Sequence, residues 1–337
     1  MRTARLHGIR DLRLADEPDP TPGQGESLVR MAAVGLCGSD LHWYTDGGIG
    51  DAVITAPIVP GHELAGRVVG GPLDGRLVAV DPAIPCGACE LCLEGHRNLC
   101  PTVRFSGHGT LDGGLRDFMT WPTHLLHPLP EGFTAADGAV LEPLGVALHA
   151  WDLAHARVGA TVAVVGTGPI GLLLVQLARA AGASRVIAVE PLAHRRAAAL
   201  RFGADVALHP DEVTAAGLAE LTGLGCDVVF EVAGTNAGIA EALLAARPGA
   251  RVLLVGIPDA DRSAFPAGLA RRKGLTLVMV RRMKEMYERT MRLVADGRVD
   301  VRSLVSAAYP LERAAEAFDA ASARTGLKVV VSLADGA

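Results

Sequence analysis

The chain has 337 residues, of which 50% are hydrophobic and 20% are charged, a balance typical of a soluble globular protein with about two domains. The formal net charge of −5 argues against a nucleic-acid-binding protein and against attraction to an anionic membrane surface. The apolar runs are shorter than the ~20 residues of a membrane span, and the N-terminal segment lacks the apolar core of a secretory signal, so we expect a cytoplasmic protein.

The first part of the chain predicts an irregular, mostly β domain. Short apolar runs alternate there with turns rich in glycine and proline, which is typical of strands in such a domain. The predicted strands are 27–34, 66–69, 77–80 and 115–121.

The pattern changes near Val158, where apolar strands begin to alternate with alanine-rich helices. Continuous apolar strands with helical crossovers predict a parallel sheet covered on both faces, and six of them favour a doubly wound dinucleotide-binding fold. The predicted strands are 161–165, 185–190, 206–208, 227–232, 251–256 and 275–280, and the predicted helices are 169–181, 193–202 and 238–246. Helices 287–296 and 311–321 and a strand at 328–331 follow, and we expect them to return to the first domain.

Four cysteines lie close together in the segment PCGACELCLEGHRNLC. Cys86, Cys89, Cys92 and Cys100 can surround one tetrahedral Zn²⁺ and leave no open coordination position. In a reducing cytosol, clustered cysteines are metal ligands more often than disulfides. We therefore predict a structural zinc that holds a loop and takes no part in chemistry.

A glycine motif, GTGPIG, follows the predicted strand TVAVV and opens a helix. Gly166 permits a tight turn, Gly168 lets backbone amides approach a pyrophosphate, and Gly171 lets the helix pack closely on the strand. The amides at the helix N-terminus favour phosphate. The predicted cofactor-binding residues are Gly166, Gly168, Pro169, Ile170, Gly171, Glu190 and Arg195.

Glu190 bears on the choice of cofactor. It ends the next predicted strand, where a carboxylate would hold the adenosine ribose hydroxyls and repel a 2′-phosphate, so NAD is favoured over NADP. Arg195 and Arg196 follow on the next helix and weaken this preference if they face the phosphate rather than solvent.

A second set of metal-ligand side chains comes from separate segments of the first domain. Cys37 lies in GLCGSDLHWY, His62 and Glu63 lie in PGHELAG, and Glu142 lies in VLEPLGVALHA. A thiolate, an imidazole and a carboxylate can bind Zn²⁺ while leaving one position open, as a catalytic zinc requires. We therefore expect two zinc ions per chain, one structural and one catalytic.

Together these motifs resemble the zinc-dependent medium-chain dehydrogenases of the alcohol dehydrogenase family, over essentially the whole chain. The resemblance rests on CGSD at 37–40, GHE at 61–63, the cysteine lobe at 86–100, EPLGVALHA at 142–150 and VGTGPIGLL at 165–173. It implies an α/β protein with a GroES-like β-barrel catalytic domain (1–149 and 284–337) and a Rossmann NAD-binding domain (150–283).

Two stretches are most similar to the polyol branch that includes sorbitol and L-idonate dehydrogenases. They are EPLGVALHA and VRFSGHGTLDGGLRDF. The resemblance implies hydride transfer between a polyol or sugar acid and NAD, and a homodimer or homotetramer. It also implies a proton relay through Ser39 and His42, with Asp40 as support for the zinc site.

Several points stay open at the level of the sequence. Family members differ on whether the Glu63 or the Glu142 position ligates zinc directly. The substrate pocket is assigned only by resemblance, to Trp43, Phe118 and Arg281, and Trp43 departs from the tyrosine of many polyol dehydrogenases. The turn after GHELAG is also shorter than in the family.

Alternative functions are also open. One is a dehydrogenase for another secondary alcohol, such as threonine, a butanediol, an aminocyclitol or a sugar phosphate. Another is a relative that binds NAD(P)H without turnover, although such relatives usually lose the catalytic ligands that this chain retains. A zinc-ribbon interaction module would leave the nucleotide motif unexplained.

Overall fold

A computed structural model of the chain describes residues 1–50, 52–258 and 262–333. Its contacts divide the chain into two compact units. The first unit comprises residues 1–145, 284–295 and those from 301 onward; the second comprises 146–283 and 296–300. Among the described residues, no helix is long and apolar enough to cross a membrane.

The elements follow in chain order. Up to the first long helix they are β1 (Arg2–Gly8), β2 (Asp11–Asp16), β3 (Glu26–Gly35), α1 (Gly38–Asp46), β4 (Gly48–Ile49), β5 (Ala52–Val53), β6 (Glu63–Val69), β7 (Leu77–Val80), β8 (Ala83–Ile84), α2 (Glu90–Leu93), β9 (Arg104–Phe105), β10 (Phe118–Pro122), β11 (Leu126–Pro128) and α3 (Ala135–Ala154). The alternating region has β12 (Thr161–Val165), α4 (Pro169–Ala180), β13 (Arg185–Val189), α5 (Ala193–Arg201), β14 (Val206–Leu208), α6 (Ala215–Thr222), β15 (Cys226–Glu231), α7 (Asn236–Ala245), β16 (Ala246–Leu254), α8 (Ala267–Lys273) and β17 (Thr276–Met279). The last elements are α9 (Tyr287–Ala295), β18 (Val305–Pro310), α10 (Ala314–Ser322) and β19 (Lys328–Ser332).

The main sheet of the first unit joins strands from both ends of the chain. Its order is β11-β7-β6-β3-β19-β18, and β10 also pairs with β3. β19 runs antiparallel to β3 and places Val330 opposite Gly35. The C-terminal segment therefore returns to the first unit, as the sequence predicts.

The sheet of the second unit is parallel, with the order β14-β13-β12-β15-β16-β17. This is the order of the dinucleotide-binding doubly wound fold, with the glycine motif after the central strand β12. The predicted parallel sheet is confirmed, and most of its strand bounds agree within one residue. The exception is β16, which begins at Ala246, five residues before the prediction.

Helix α3 was not predicted, although it carries the EPLGVALHA motif. It contains Pro143, which removes a hydrogen bond and argues against a helix interior, and its buried residues leave no amphipathic pattern to detect. Its start has a local signal. The Thr134 amide donates to Asp137 Oδ2 at 2.8 Å and the Asp137 amide donates to Thr134 Oγ1 at 3.1 Å, which is a capping box.

Candidate active site

The four cysteines of the lobe converge as their spacing predicts. One ligand atom from each of Cys86, Cys89, Cys92 and Cys100 lies within 4.8 Å of the others. Backbone amides support two of the sulfurs: the Cys89 amide donates to Cys86 Sγ at 3.3 Å, and the Cys86 amide donates to Cys100 Sγ at 3.4 Å. Four sulfurs at this spacing fit a tetrahedral Zn²⁺.

An arginine inside the lobe ties it to the sheet. Arg97 Nη2 donates to Asp81 Oδ2 at 2.8 Å, and Asp81 directly follows β7. Asp81 is buried, with a side chain only 4% exposed. Arg97 also pairs with Glu285 at 3.3 Å. The lobe is therefore anchored through a buried ion pair as well as through its cysteines.

The second metal-ligand set also converges, with one exception. Ligand atoms of Cys37, His62 and Glu63 lie within 4.8 Å of one another, whereas Glu142 is not part of this group among the described residues. Cys37 caps the N-terminus of α1, and Glu63 begins β6. Sulfur, imidazole nitrogen and carboxylate oxygen form a donor set suited to Zn²⁺ with an open position, so these residues fit a catalytic zinc.

Asp40 orients this group from the first turn of α1. Its carboxylate accepts from the Cys37 amide at 3.0 Å and from the Gly61 amide at 3.3 Å, and Oδ1 lies 3.4 Å from His62 Nδ1. Burial alone would raise the pKa of Asp40, but His62 and the amide outweigh it and lower the pKa. An acceptor on one imidazole nitrogen leaves the other for a metal ion, which is the usual arrangement of metal-binding histidines.

His62 is buried beside Asp40 and Cys37. Burial alone would lower its pKa, but Asp40 and Cys37 outweigh it and raise the pKa well above the usual value. The Phe105 ring lies beside the imidazole, with ring centroids 5.2 Å apart. Histidine binds metal ions in its neutral form, so a metal ion at this site would compete with a proton on His62.

Lys328 lies beside the group of Cys37, His62 and Glu63, although the sequence did not predict it there. Its Nζ forms an ion pair with Glu63 and donates to the Leu36 carbonyl at 2.8 Å. Gly35 lies opposite Glu63 in the sheet, and a Cβ there would lie only 2.0 Å from Glu63 Oε2. Gly35 therefore makes room for the carboxylate, and Lys328 balances its charge.

Glu142 lies on α3 and is only 4% exposed. Burial raises its pKa to about 7, His62 acts in the opposite direction, and Glu63 adds to the rise. Glu142 is therefore electrostatically linked to the group without joining it.

Ser39 and His42 both lie on α1, one helical turn apart. His42 Nδ1 lies 2.9 Å from Asp46 Oδ2 on the same helix, and the His42 side chain is 21% exposed. A partly exposed imidazole beside a carboxylate fits the outer end of a proton relay.

The glycine loop of the second unit has the close approaches that its motif predicts. Gly166 has a φ of +91°, and a Cβ there would lie 2.7 Å from the Ala233 amide. A Cβ on Gly171 would lie 2.0 Å from the Gly166 carbonyl oxygen, so the start of α4 requires glycine. At Gly168 a Cβ would approach only Arg195 Nη1, at 3.7 Å. Pro169 occupies the first turn of α4. The loop is therefore a backbone cradle that fits a pyrophosphate.

Glu190 binds the glycine loop directly. Its Oε2 accepts from the Thr167 amide at 2.8 Å, and its Oε1 accepts from the Leu192 amide at 3.1 Å. Arg196 donates to the carbonyls of Glu190 and Pro191 at 2.8 and 2.7 Å. Arg196 thus bonds to the backbone beside the loop, rather than standing free on a solvated helix face.

The three residues assigned to the substrate pocket lie in different surroundings. Trp43 is buried in the core of the first unit and contacts His108, with ring centroids 5.2 Å apart. Phe118 lies on β10, with the Arg30 guanidinium 5.3 Å from its ring centroid. Arg281 belongs to the second unit and is exposed. The pocket itself stays a prediction.

Comparison with known proteins identifies two family domains in the chain. Residues 23–131 match the alcohol dehydrogenase GroES-like domain, and residues 169–296 match the zinc-binding dehydrogenase domain. Sorbitol dehydrogenase of Bacillus subtilis is 34% identical over 333 residues, covering 95% of this chain and 93% of that protein.

Two solved structures share the fold over nearly the whole chain. L-idonate 5-dehydrogenase of Escherichia coli superposes with a TM-score of 0.89 at 29% identity, covering 98% of this chain and 97% of that one. A structure from Sinorhizobium meliloti, described as a zinc-binding dehydrogenase bound to NADP, has a TM-score of 0.89 at 30% identity and covers 98% of each chain. The predicted family and fold class are confirmed.

Proposed function

The chain belongs to the family of zinc-binding alcohol dehydrogenases, and on that premise we propose that it transfers a hydride between a secondary alcohol of the polyol or sugar-acid type and NAD. The observation that carries this proposal is the convergence of Cys37, His62 and Glu63 in one group, in which His62 and Glu63 are buried. We assign the zinc chemistry to the first unit and cofactor binding to the second.

Cys37, His62 and Glu63 would hold the catalytic zinc, and Glu142 is proposed as a carboxylate acting beside them. Zn²⁺ bound there supplies a Lewis acid that lowers the pKa of an alcohol hydroxyl. Asp40 holds the His62 ring and the Cys37 amide in place, and Lys328 keeps the Glu63 carboxylate from being an uncompensated buried charge.

Ser39 and His42 are proposed to carry the proton of the alcohol to solvent. The two side chains lie on the helix that Cys37 caps, so the relay would begin next to the zinc ligands. His42 suits the outer end because Asp46 fixes its ring while part of the ring stays exposed. An imidazole can both accept and donate a proton through its two ring nitrogens, which suits it to passing a proton to water.

The glycine loop and Glu190 would bind NAD. Gly166, Gly168 and Gly171 with Pro169 and Ile170 would hold the pyrophosphate, and nicotinamide supplies the hydride acceptor. Glu190 would accept from the ribose hydroxyls and disfavour a 2′-phosphate, while Arg195, near Gly168, would reduce that preference.

The substrate class follows from the relatives rather than from a described pocket. The relatives include a sorbitol dehydrogenase and an L-idonate 5-dehydrogenase, whose substrates carry a secondary alcohol among other hydroxyls. The proposed pocket residues are Trp43, Phe118 and Arg281. Threonine, butanediols, aminocyclitols and sugar phosphates are the competing substrate classes.

A zinc analysis combined with a substrate screen tests this function. We expect about two zinc ions per chain, and NAD reduction with at least one polyol or sugar acid. Cys37→Ala should lose about one zinc and all turnover, whereas Cys226→Ala, which removes a buried cysteine of the second unit, should keep both. Full activity of Cys37→Ala would refute the site. Zinc-replete protein that binds NADH and oxidises no alcohol would favour the relative without turnover.

We also propose that the chain forms a homodimer or homotetramer through β17. This strand lies at the edge of the second unit's sheet, and Met279 on it is 72% exposed. Unpaired edge strands can pair across a two-fold axis. Light scattering after gel filtration should give a multiple of the chain mass, and Leu277→Pro should reduce it; a monomeric wild type would refute the proposal.

A further inference from the structure

Glu231 ends β15 and is a buried carboxylate that the proposed reaction does not use. It is 1% exposed, and its Oε1 accepts from the Gly234 amide at 2.8 Å. Burial raises the pKa of Glu231, and four backbone amides act in the opposite direction, those of Gly234, Ala233, Thr235 and Gly256. Backbone amides from two loops therefore surround one carboxylate.

Two glycines approach this carboxylate so closely that a larger residue would crowd it. A Cβ on Gly238 would lie 2.8 Å from Glu231 Oε1, and a Cβ on Gly256 would lie 3.0 Å from Oε2. The Glu231 carbonyl oxygen also accepts from the amides of Val255 and Gly256, at 2.8 and 3.1 Å. Glu231 thus joins the loop after β15 to the loop after β16.

The loop after β15 also supports the glycine loop. The Val232 amide donates to the Val165 carbonyl at 2.7 Å, and Gly166 has room for its turn only because it packs against Ala233 without a Cβ. A shift of the segment that Glu231 holds would therefore also displace the glycine loop.

The order of strands indicates which half of the cofactor is concerned. Glu190 follows β13 on one side of β12, and Glu231 ends β15 on the other side. A dinucleotide lies across the carboxyl ends of these strands. If the adenosine ribose meets Glu190, the nicotinamide half lies over the loops after β15 and β16.

We propose that Glu231 is a positioning residue for the nicotinamide half of the cofactor, because it fixes the loops after β15 and β16. The proposal rests on the proposed binding of NAD by this chain. Glu231 does not itself touch the reacting atoms; it sets the backbone on which that half of the cofactor rests.

Titration with NADH, followed by its fluorescence, and competition by 5′-AMP test the proposal in the purified full-length protein. Glu231→Gln has the same shape but places an amide NH₂ against backbone N–H donors, and Glu231→Asp keeps the charge on a shorter side chain. We expect both variants to weaken NADH binding by about tenfold, with AMP binding changed less than about twofold. The KM for NAD should rise while the KM for the alcohol stays near that of the wild type.

Asp227→Asn is the matched control, because Asp227 lies at the opposite end of the same strand and also accepts from a backbone amide, that of Thr161, at 2.8 Å. We expect it to lower the melting temperature without weakening NADH binding. The proposal is overturned if Asp227→Asn weakens NADH binding as much as the Glu231 variants do. It is also overturned if the Glu231 variants weaken AMP and NADH binding equally, or if they leave NADH binding unchanged. A wild type that binds no NADH would instead overturn the proposed cofactor, and this inference with it.

Discussion

Lys328 and Glu63 form an ion pair in the interior of the first unit, with side chains that are 2% and 1% exposed. Burial alone would lower the pKa of Lys328, but Glu63 and Cys37 outweigh it and raise the pKa. The lysine is therefore a fixed positive charge beside the proposed zinc ligands. If Glu63 binds a zinc ion, the ion and the Lys328 ammonium would both neutralise the charge of the Glu63 carboxylate.

Lys328→Met tests this arrangement. Removing one partner of a buried ion pair leaves an uncompensated charge, so we expect the free energy of unfolding to fall by roughly 3–5 kcal/mol in the presence of a chelator. With excess zinc the loss should be smaller, because the ion supplies positive charge to Glu63 and stabilises the folded state. Urea denaturation with and without zinc measures both values.

Lys273→Met is the control for that experiment. Lys273 Nζ donates to the carbonyls of Leu243, Leu244 and Ala246 in the second unit, so its removal also costs stability. That cost should not depend on zinc. If zinc failed to reduce the loss in Lys328→Met, Glu63 would not be a zinc ligand.

Cys92→Ser separates the two proposed zinc sites. We expect the variant to lose about one zinc per chain and to melt at a lower temperature, because the closed site stabilises the lobe. NADH binding should be unchanged. Cys226→Ser makes the same substitution at a buried cysteine outside both proposed sites and should keep both zinc ions, so zinc content, measured by emission spectroscopy, distinguishes the two variants. If the zinc content of Cys92→Ser were unchanged, the proposed structural zinc site would be wrong.

Glu190→Gln should relax the cofactor preference. The amide cannot accept from both the Thr167 and Leu192 amides, and it no longer repels a 2′-phosphate. We expect the ratio of kcat/KM for NAD to that for NADP to fall by about tenfold. The control is Asp205→Asn, since Asp205 accepts from the Val186 amide near the other end of β13 at 2.8 Å. If the ratio changed equally in both variants, a residue other than Glu190 would determine the preference for NAD over NADP.

His127 predicts a dependence of stability on pH. Its ring stacks on Tyr287 at 4.4 Å, and Arg97 and Glu285 are the charged groups that act on it. Burial, reinforced by Arg97 and opposed by Glu285, lowers its pKa to about 4. Because the unfolded chain has the higher pKa, it binds the proton first as the pH falls, and stability is lost between about pH 6.5 and about pH 4.

The loss attributable to His127 should reach at most about 3 kcal/mol over that window. His127→Phe keeps a ring against Tyr287 and cannot titrate, so the pH dependence of its urea midpoint should be flatter than that of the wild type. His194→Phe, at an exposed position on α5, should leave the slope unchanged. Equal slopes for wild type and His127→Phe would contradict the prediction.

Spacing along the chain is enough to predict those features whose parts lie near one another in sequence. The cysteine lobe and the glycine loop are each a short continuous segment. The spacing of their residues and the elements on either side are therefore sufficient to predict their geometry. All strands of the second unit except β16 were predicted to within one residue, because buried parallel strands are continuous apolar runs.

Tertiary structure alone decided what depends on contacts between distant segments. Lys328 meets Glu63 only because β19 pairs with β3, which pairs with β6. No local pattern marks that lysine. No local pattern separates Glu63, which lies in the group with Cys37 and His62, from Glu142, which lies outside that group. In the sequence, Glu231 is an ordinary residue near the end of a predicted strand. Only the structure shows the loops that contact its carboxylate. A sequence carries the donors and acceptors, but packing decides which of them meet.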